Sequence, residues 1–112
     1  MPLMRYGRIY GAFIGGVLVG IIEMIISESY QGYIFSFAIR SAVRNLGYGE
    51  ELLRKVIDDV REAGVLKELI LTSSEDNSCA NKIYEKLGFK KGEKLLNEYG
   101  WGIDRISWSK KL

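Results

Sequence analysis

The sequence predicts an α/β fold of the α+β kind, with a mixed, mostly antiparallel central sheet, one parallel βαβ crossover and helices on the sheet faces. Two observations lead to this prediction. An apolar segment divided by a glycine pair, residues 8–27, predicts an antiparallel hairpin. Farther along, strand, helix and strand patterns follow one another over residues 33–72, which is typical of a crossover between two parallel strands.

The composition narrows the class of protein. We expect residues 1–112 to form a single domain, and 47% apolar with 27% charged residues is ordinary for a globular chain. The net charge of +2 gives no reason to expect a nucleic-acid partner. The chain has no histidine, which excludes a histidine general base, a Ser-His-Asp triad and histidine metal ligands.

Cysteine usage points to a reducing compartment. The one cysteine, Cys79, excludes a zinc framework and an intramolecular disulfide. Because Cys79 lies within a helical pattern, we expect it to be a small buried residue and not a nucleophile. We therefore expect no metal site and a cytoplasmic location.

The apolar segment over residues 9–26 has two interpretations. With Arg5 and Arg8 ahead of it, the segment is similar to a signal peptide or a marginal membrane span, in which Gly16-x-x-x-Gly20 would be the packing face. We favour a hairpin because Gly15-Gly16 is a turn dipeptide and Glu23 is unfavourable in a membrane. The predicted strands are Arg8–Ile14 and Val17–Ser27.

A glycine turn follows the third predicted strand, Tyr33–Ile39. It reads Arg44-Asn45-Leu46-Gly47-Tyr48-Gly49 and precedes a helix predicted over residues 50–63. The first turn of a helix leaves backbone N–H groups without partners, glycines let an anion approach, and Arg44 adds a cationic donor. The pattern is neither a P-loop nor a dinucleotide fingerprint, so a tight turn without a ligand stays open. A bound phosphate would require Glu50 and Glu51 to point away from it.

The remaining chain predicts three strands and a second helix. The strands are predicted at residues 66–72, from Phe89 to about Asn97, and at residues 104–112, where Ile106 and Trp108 face inward. The helix begins after a capping residue, Ser74, Asp76 or Asn77, and ends near Leu87. A connection at Gly100-Trp101-Gly102 precedes the last strand.

The second helix contains the pattern Asn77-x-x-Ala80-x-x-x-Tyr84-Glu85-Lys86-Leu87-Gly88-Phe89. Asn77 and Tyr84 are about two helical turns apart and share a face, with the small Ala80 between them. By itself this pattern is also that of an amphipathic helix with a core tyrosine and a glycine stop. Taken together and in this order, the glycine turn and this helix resemble the GCN5-related N-acetyltransferase (GNAT) superfamily.

The resemblance extends over about residues 6–112 and implies an acyl-CoA N-acyltransferase-like fold that lacks the usual first strand and first two helices. Members of the family usually have these elements before the hairpin, and here only Met1–Gly7 precede it. Two explanations stay open. Either the gene start is misplaced, or the chain is a shortened member that a dimer partner completes.

The function implied by the resemblance is an acetyl-CoA-dependent N-acetyltransferase, in which a primary amine attacks the thioester directly in a ternary complex. Tyr84 would be the general acid that protonates the leaving thiolate, because its ordinary pKa of about 10 is close to that of the thiol. Asn77 and the backbone near Ile39 would contact the pantetheine arm. The residues implied in acetyl-CoA binding are Ile39, Arg44, Asn45, Leu46, Gly47, Tyr48, Gly49 and Asn77.

The general base and the acceptor stay open. Many family members carry a carboxylate at two positions that here are Tyr33 and Thr72. Glu23, inside a predicted strand, and Glu75, on the loop beside the expected cleft, are the candidates for a base. An acceptor amine with a modest pKa would need no dedicated base. The alternative function is a CoA-binding module without catalytic activity.

The expected partners follow from the same patterns. The acceptor is a small-molecule or peptide amine, with N-terminal peptide amines, polyamines and small-molecule amines all possible. We expect no membrane partner. We expect a homodimer, because a short chain has little material to cover so apolar a hairpin.

Overall fold

The computed structural model describes residues 6–95 and 105–112. Within these residues, six strands form one sheet and two α-helices pack on it. The strands are β1 (Tyr6–Ile14), β2 (Val17–Ile26), β3 (Gln31–Ile39), β4 (Glu68–Ser73), β5 (Lys90–Leu95) and β6 (Arg105–Lys111), and the helices are α1 (Tyr48–Ala63) and α2 (Ser78–Lys86). The strand order is β1-β2-β3-β4-β6-β5, and only β3 and β4 pair in parallel among the described strands.

This architecture confirms the predicted mixed, mostly antiparallel sheet with one parallel crossover. The apolar segment is a hairpin in which Ile14 pairs with Val17 across the turn. Gly15 and Gly16 both have positive φ, +56° and +81°, which a two-residue hairpin turn needs. Within the described residues, no helix has the length and apolar character needed to cross a membrane.

The core lies between the sheet and the two helices, which share one face. Alternate residues of β2 point toward the helices and are buried, namely Ile22, Met24 and Ile26. They pack against the apolar side of α1 and, in the same cluster, Tyr84 of α2. The opposite face has no helix among the described residues, and it leaves Ile9 71% exposed.

The ladder between β3 and β4 is short. It runs from the pair Gln31–Glu68 to the pair Ile34–Leu71, although both strands continue beyond it. The β2–β3 register also shifts here, because Met24 pairs with Ile34 while Glu23 pairs with Ser36. The extra residue, Phe35, makes a β-bulge, and bulges bend a strand and increase its twist. The two parallel strands therefore separate and leave a gap in the sheet.

Helix α2 is fixed at its beginning by side-chain hydrogen bonds. Asn77 is the N-cap, as one of three candidates predicted, and its Oδ1 accepts from the Ala80 N–H at 3.3 Å. The buried Ser73 hydroxyl donates to Asn81 Oδ1 at 2.6 Å and accepts from Trp108 Nε1 at 2.8 Å. This network ties α2 to the ends of β4 and β6, beside the gap.

Some sequence-based predictions need correction or are not addressed. Cys79 is exposed and not buried, because it lies in the first turn of α2, whose fully buried residue is Tyr84. The strand predicted from Phe89 begins at Lys90 and is described as far as Leu95. The connection at Gly100-Trp101-Gly102, the end of that strand at Asn97 and the start of the last strand at Asp104 lie outside the described residues.

Candidate active site

The glycine turn presents backbone amides at the start of α1. Gly47 is the N-cap with φ of +86°, and the first helical bond runs from the Glu51 N–H to the Gly47 carbonyl at 3.0 Å. The amides of Tyr48, Gly49 and Glu50 therefore have no hydrogen-bond acceptor among the described residues. These amides and the positive end of the helix dipole lie at the turn where the sequence predicts an anion site.

Gly47 and Gly49 occupy different environments in the turn. A Cβ at Gly47 would meet nothing within 4 Å, so glycine is favoured there by its left-handed backbone. A Cβ at Gly49 would lie 3.5 Å from both Ile39 Cγ1 and Phe37 Cζ. These are ordinary van der Waals distances, and they show that Gly49 lies directly over the free end of β3.

An open cleft of about 370 Å³, the amide cleft, lies between this turn, β3 and α2. Its lining contains most of the residues predicted to bind the cofactor. Leu46 is not among them, because its side chain points to solvent and is 64% exposed. The full lining is Phe37, Ala38, Ile39, Val43, Arg44, Asn45, Gly47, Tyr48, Gly49, Glu50, Asn77, Cys79, Ala80, Ile83 and Tyr84.

Main-chain groups of β3 also face this cleft. The Arg40 N–H bonds to the Val19 carbonyl of β2 at 2.8 Å, so by alternation Phe37 and Ile39 turn their N–H and C=O groups toward β4. The β3–β4 ladder has ended by that point. Arg44 Nε donates to the Ile39 carbonyl at 3.0 Å, which fixes the guanidinium beside the amides. The Ile39 carbonyl is therefore occupied, and the Ile39 N–H and the Phe37 groups remain for a ligand.

Glu50 is among the residues that line the amide cleft, next to the predicted anion site. Its carboxylate accepts from Lys86 at 3.1 Å and from Arg54 at 3.0 Å. Hydrogen bonds from Lys86 and then Arg54 hold the pKa of Glu50 below its ordinary value. The two cations offset the negative charge that would otherwise repel a bound phosphate, while Glu51 is exposed and does not line this cleft.

A second open space of about 250 Å³, the sheet cavity, lies in the gap between β3 and β4. It shares Phe37, Asn77 and Tyr84 with the amide cleft. The two spaces thus meet at Tyr84, one on the helix side of the sheet and one between the strands. The full lining of the sheet cavity is Ile34, Phe35, Ser36, Phe37, Leu71, Thr72, Ser73, Ser74, Asn77, Tyr84 and Arg105.

Tyr84 is held by aromatic packing and is 5% exposed. Its ring centroid lies 6.3, 6.0 and 5.7 Å from those of Phe37, Phe89 and Trp108. Its hydroxyl makes no hydrogen bond to any described residue. Burial raises the pKa of Tyr84 to about 12, and the nearby Arg105 opposes this shift. The phenol therefore holds its proton more tightly than an exposed tyrosine, and its pKa is less close to that of a thiol than the sequence-based argument expects.

The candidate bases occupy different environments. Glu75 forms an ion pair with Lys94 at 3.1 Å and lines neither open space. Glu23 also lines neither, but it pairs with Ser36 across the β2–β3 ladder, and Ser36 lines the sheet cavity. Side chains of directly paired residues lie on the same face of a sheet. Of these two carboxylates, Glu23 is the one whose cross-strand neighbour lines the cavity.

Three functional features were not found from the sequence. Arg105 reaches the sheet cavity from the distant strand β6, Lys86 pairs with Glu50 across the two helices, and Ser73 links β4 to α2. Each depends on which strands and helices are neighbours. Asn81 is a polar residue one helical turn after the N-cap, and it was the only feature of the local sequence that indicated the hydrogen bonds of Ser73.

The acidity of Tyr84 gives a direct test of the site. A neutral phenol buried in the protein contributes stability that is full below pH about 10 and lost as the pH rises through about 12. With ¹³Cζ-labelled tyrosine, the NMR signal that disappears in Tyr84→Phe should titrate with a midpoint near 12. A midpoint near the ordinary value of 10 would show that the phenol is not buried as described.

Comparison with known proteins agrees with this geometry. Residues 3–89 match the model of the Acetyltransferase (GNAT) family. N-alpha-acetyltransferase 30 of Xenopus laevis is 33% identical over 105 residues, which are 94% of this chain and 38% of that protein. The chain therefore spans well under half the length of this relative.

Solved structures show the same fold. The ribosomal-protein-S18-alanine N-acetyltransferase from Escherichia coli superposes with a TM-score of 0.85 at 22% identity, over 96% of this chain and 70% of that one. A GNAT family acetyltransferase from Elizabethkingia anophelis, with acetyl-CoA bound, gives 0.83 at 21% identity, over 95% and 76%. The sequence match and the shared fold lead to one conclusion: this chain belongs to the acetyltransferase (GNAT) family.

Proposed function

We propose that the protein is an acetyl-CoA-dependent N-acetyltransferase that modifies the α-amine of peptide N-termini. The observation that carries the proposal is the meeting of two open spaces at Tyr84, whose hydroxyl has no hydrogen-bond partner among the described residues. One space offers anion-binding amides and the other gives access from the gap between β3 and β4. The relative from Xenopus laevis is named for N-α-acetyl transfer, which supports the choice of acceptor.

The amide cleft fits the cofactor by chemistry. Tyr48, Gly49 and Glu50 offer unpaired N–H groups for a diphosphate, and Arg44 adds a guanidinium beside them. The Ile39 N–H and the β4-facing groups of Phe37 offer the strand-like hydrogen bonds that an extended amide arm needs. Acetyl-CoA would supply the thioester, and Tyr84 lines the same cleft.

The residues around Tyr84 support direct transfer in a ternary complex. The acceptor amine reaches the thioester through the sheet cavity and its nitrogen forms a bond to the carbonyl carbon as the carbon–sulfur bond breaks. The Tyr84 hydroxyl donates its proton to the leaving sulfur, and the raised pKa keeps it protonated at neutral pH until then. Glu23, acting through water near Ser36, is the proposed acceptor of the amine proton.

Binding of acetyl-CoA at the glycine turn is tested by Gly47→Trp. The indole would extend from a residue that lines the amide cleft, so we expect acetyl-CoA affinity in calorimetry to fall by tenfold or more, about 1.4 kcal/mol or more. Gly64→Trp is the matched control. Gly64 ends the same helix, has a similar φ of +70° and has nothing within 4 Å of its Cβ position, but it does not line the cleft.

Equal acetyl-CoA affinity in the two tryptophan variants would contradict the assignment of the turn. Both substitutions strain a left-handed backbone to a similar degree, so a loss common to both would reflect folding. Thermal melting of each variant separates the two effects.

The chemical roles are tested by release of free thiol with a peptide acceptor. Tyr84→Phe keeps the aromatic packing but removes the proton donor, so we expect kcat to fall on the order of 10²-fold, with acetyl-CoA affinity little changed. Glu23→Gln should lower kcat at neutral pH more than Glu75→Gln, because Glu75 is paired with Lys94. Full activity in Tyr84→Phe would remove the tyrosine from the mechanism.

We also propose a homodimer in the cytoplasm. The hairpin leaves Ile9 71% and Phe13 65% exposed, and a second copy would cover them. A lone, exposed cysteine thiol suits a reducing compartment. A monomer mass in light scattering at micromolar concentration would contradict the dimer.

A further inference from the structure

The sheet cavity has an unusual charge pattern for a site that receives an amine. Among its described lining residues, Arg105 is the only charged side chain and there is no carboxylate. The other polar groups are hydroxyls and an amide, which belong to Ser36, Thr72, Ser73, Ser74, Tyr84 and Asn77. A cavity built to bind a polyamine or a lysine ammonium would be expected to carry acidic groups.

The guanidinium of Arg105 is fixed in position. Its Nη2 donates to the Thr72 carbonyl at 2.8 Å and its Nε donates to Thr72 Oγ1 at 3.3 Å. Thr72 is itself part of the β4–β6 ladder, where it pairs with Ser107. Arg105 makes further interactions beyond these two. The positive group is therefore held by the sheet and does not depend on a flexible surface side chain.

The charge of Arg105 acts at the point where the two open spaces meet. Among the described residues, it is the one charged group that shifts the pKa of the Tyr84 phenol, and it shifts it downward. Among the described residues, the charge that acts on the phenol is therefore positive. The two acidic candidates do not reverse it, because Glu75 is paired with Lys94 and Glu23 lines neither open space.

A cavity whose described lining carries one positive charge and no carboxylate has two consequences for an acceptor. It disfavours ammonium groups, which penalises lysine side chains and polyamines more than α-amines, because an α-amine has a pKa of about 8 and a lysine amine about 10.4. It also attracts an acidic side chain that follows the reacting amine. Both effects select the acceptor before any chemical step.

Resting on the proposed function, we propose that Arg105 determines acceptor specificity: the sheet cavity selects peptide N-termini whose second side chain is acidic and rejects basic N-termini and polyamines. The interaction is a short-range attraction between the Arg105 guanidinium and a peptide carboxylate in a partly buried site. An effect on the order of tenfold between acidic and basic peptides is the expected scale.

The test uses the full chain with peptides that differ only at the second residue, which is Glu, Gln or Lys. Two readouts are collected, kcat/KM with acetyl-CoA and peptide affinity on CoA-loaded protein. For the wild type, the Glu peptide should exceed the Lys peptide about tenfold in both, and added salt should reduce the ratio. Arg105→Gln should bring the ratio near one, Arg105→Glu should invert it, and Arg105→Lys should retain most of it.

Arg61→Gln is the matched control, because it removes one positive charge from the exposed last turn of α1 and should leave the ratio unchanged. A Glu-to-Lys peptide ratio near one in the wild type overturns the proposal. So does a ratio that changes by less than twofold from the wild type in both Arg105→Gln and Arg105→Glu. If the Arg105 variants do not fold, the wild-type ratio and its salt dependence decide.

The two readouts separate this proposal from the proposed function. If the protein transfers acetyl groups without preferring the Glu peptide over the Lys peptide, the specificity role of Arg105 is wrong and the acetyltransferase function stands. If binding shows a preference that depends on Arg105 but no peptide or amine is acetylated, the specificity role stands and the proposed acetyltransferase activity is wrong. Absence of peptide binding and of transfer overturns both.

Discussion

The early end of the β3–β4 ladder is the constraint on which the rest of the site depends. Pairing stops at Ile34 and Leu71, and the bulge at Phe35 bends β3 just where the strands separate. If the ladder continued, its hydrogen bonds would occupy the β4-facing groups of Phe37 and Ile39 and would fill the gap. Separation gives the amide cleft a wall of free main chain and opens the sheet cavity beside Tyr84.

Charge around the gap is distributed to suit an anionic ligand and a neutral amine. The amides at the start of α1 and the guanidinium of Arg44 lie at one end, and Arg105 lies across the sheet from α2. The carboxylate nearest the amides, Glu50, is offset by Lys86 and Arg54. Tyr84 lies between these groups, buried and protonated, and the proposed mechanism places the leaving thiolate there.

Local patterns predicted the fold and most of the cleft, because their signals are local. The glycine pair specifies the hairpin turn, the glycine turn specifies the start of α1, and the spacing of Asn77 and Tyr84 specifies one face of α2. The features that the sequence did not predict depend on which strands and helices are neighbours in the fold. Arg105 enters the site through the β4–β6 pairing, and Cys79 is exposed because the sheet meets α2 at Tyr84.

The central claim is that main-chain amides at the start of α1 bind the diphosphate of the cofactor. The most direct measurement is a titration of ¹⁵N-labelled protein with CoA, followed by the backbone amide signals. The account predicts the largest shifts at Tyr48, Gly49 and Glu50, with a second group at Phe37 and Ile39. Saturating CoA that leaves these five amides unshifted, or shifts only residues outside the amide cleft, would contradict it.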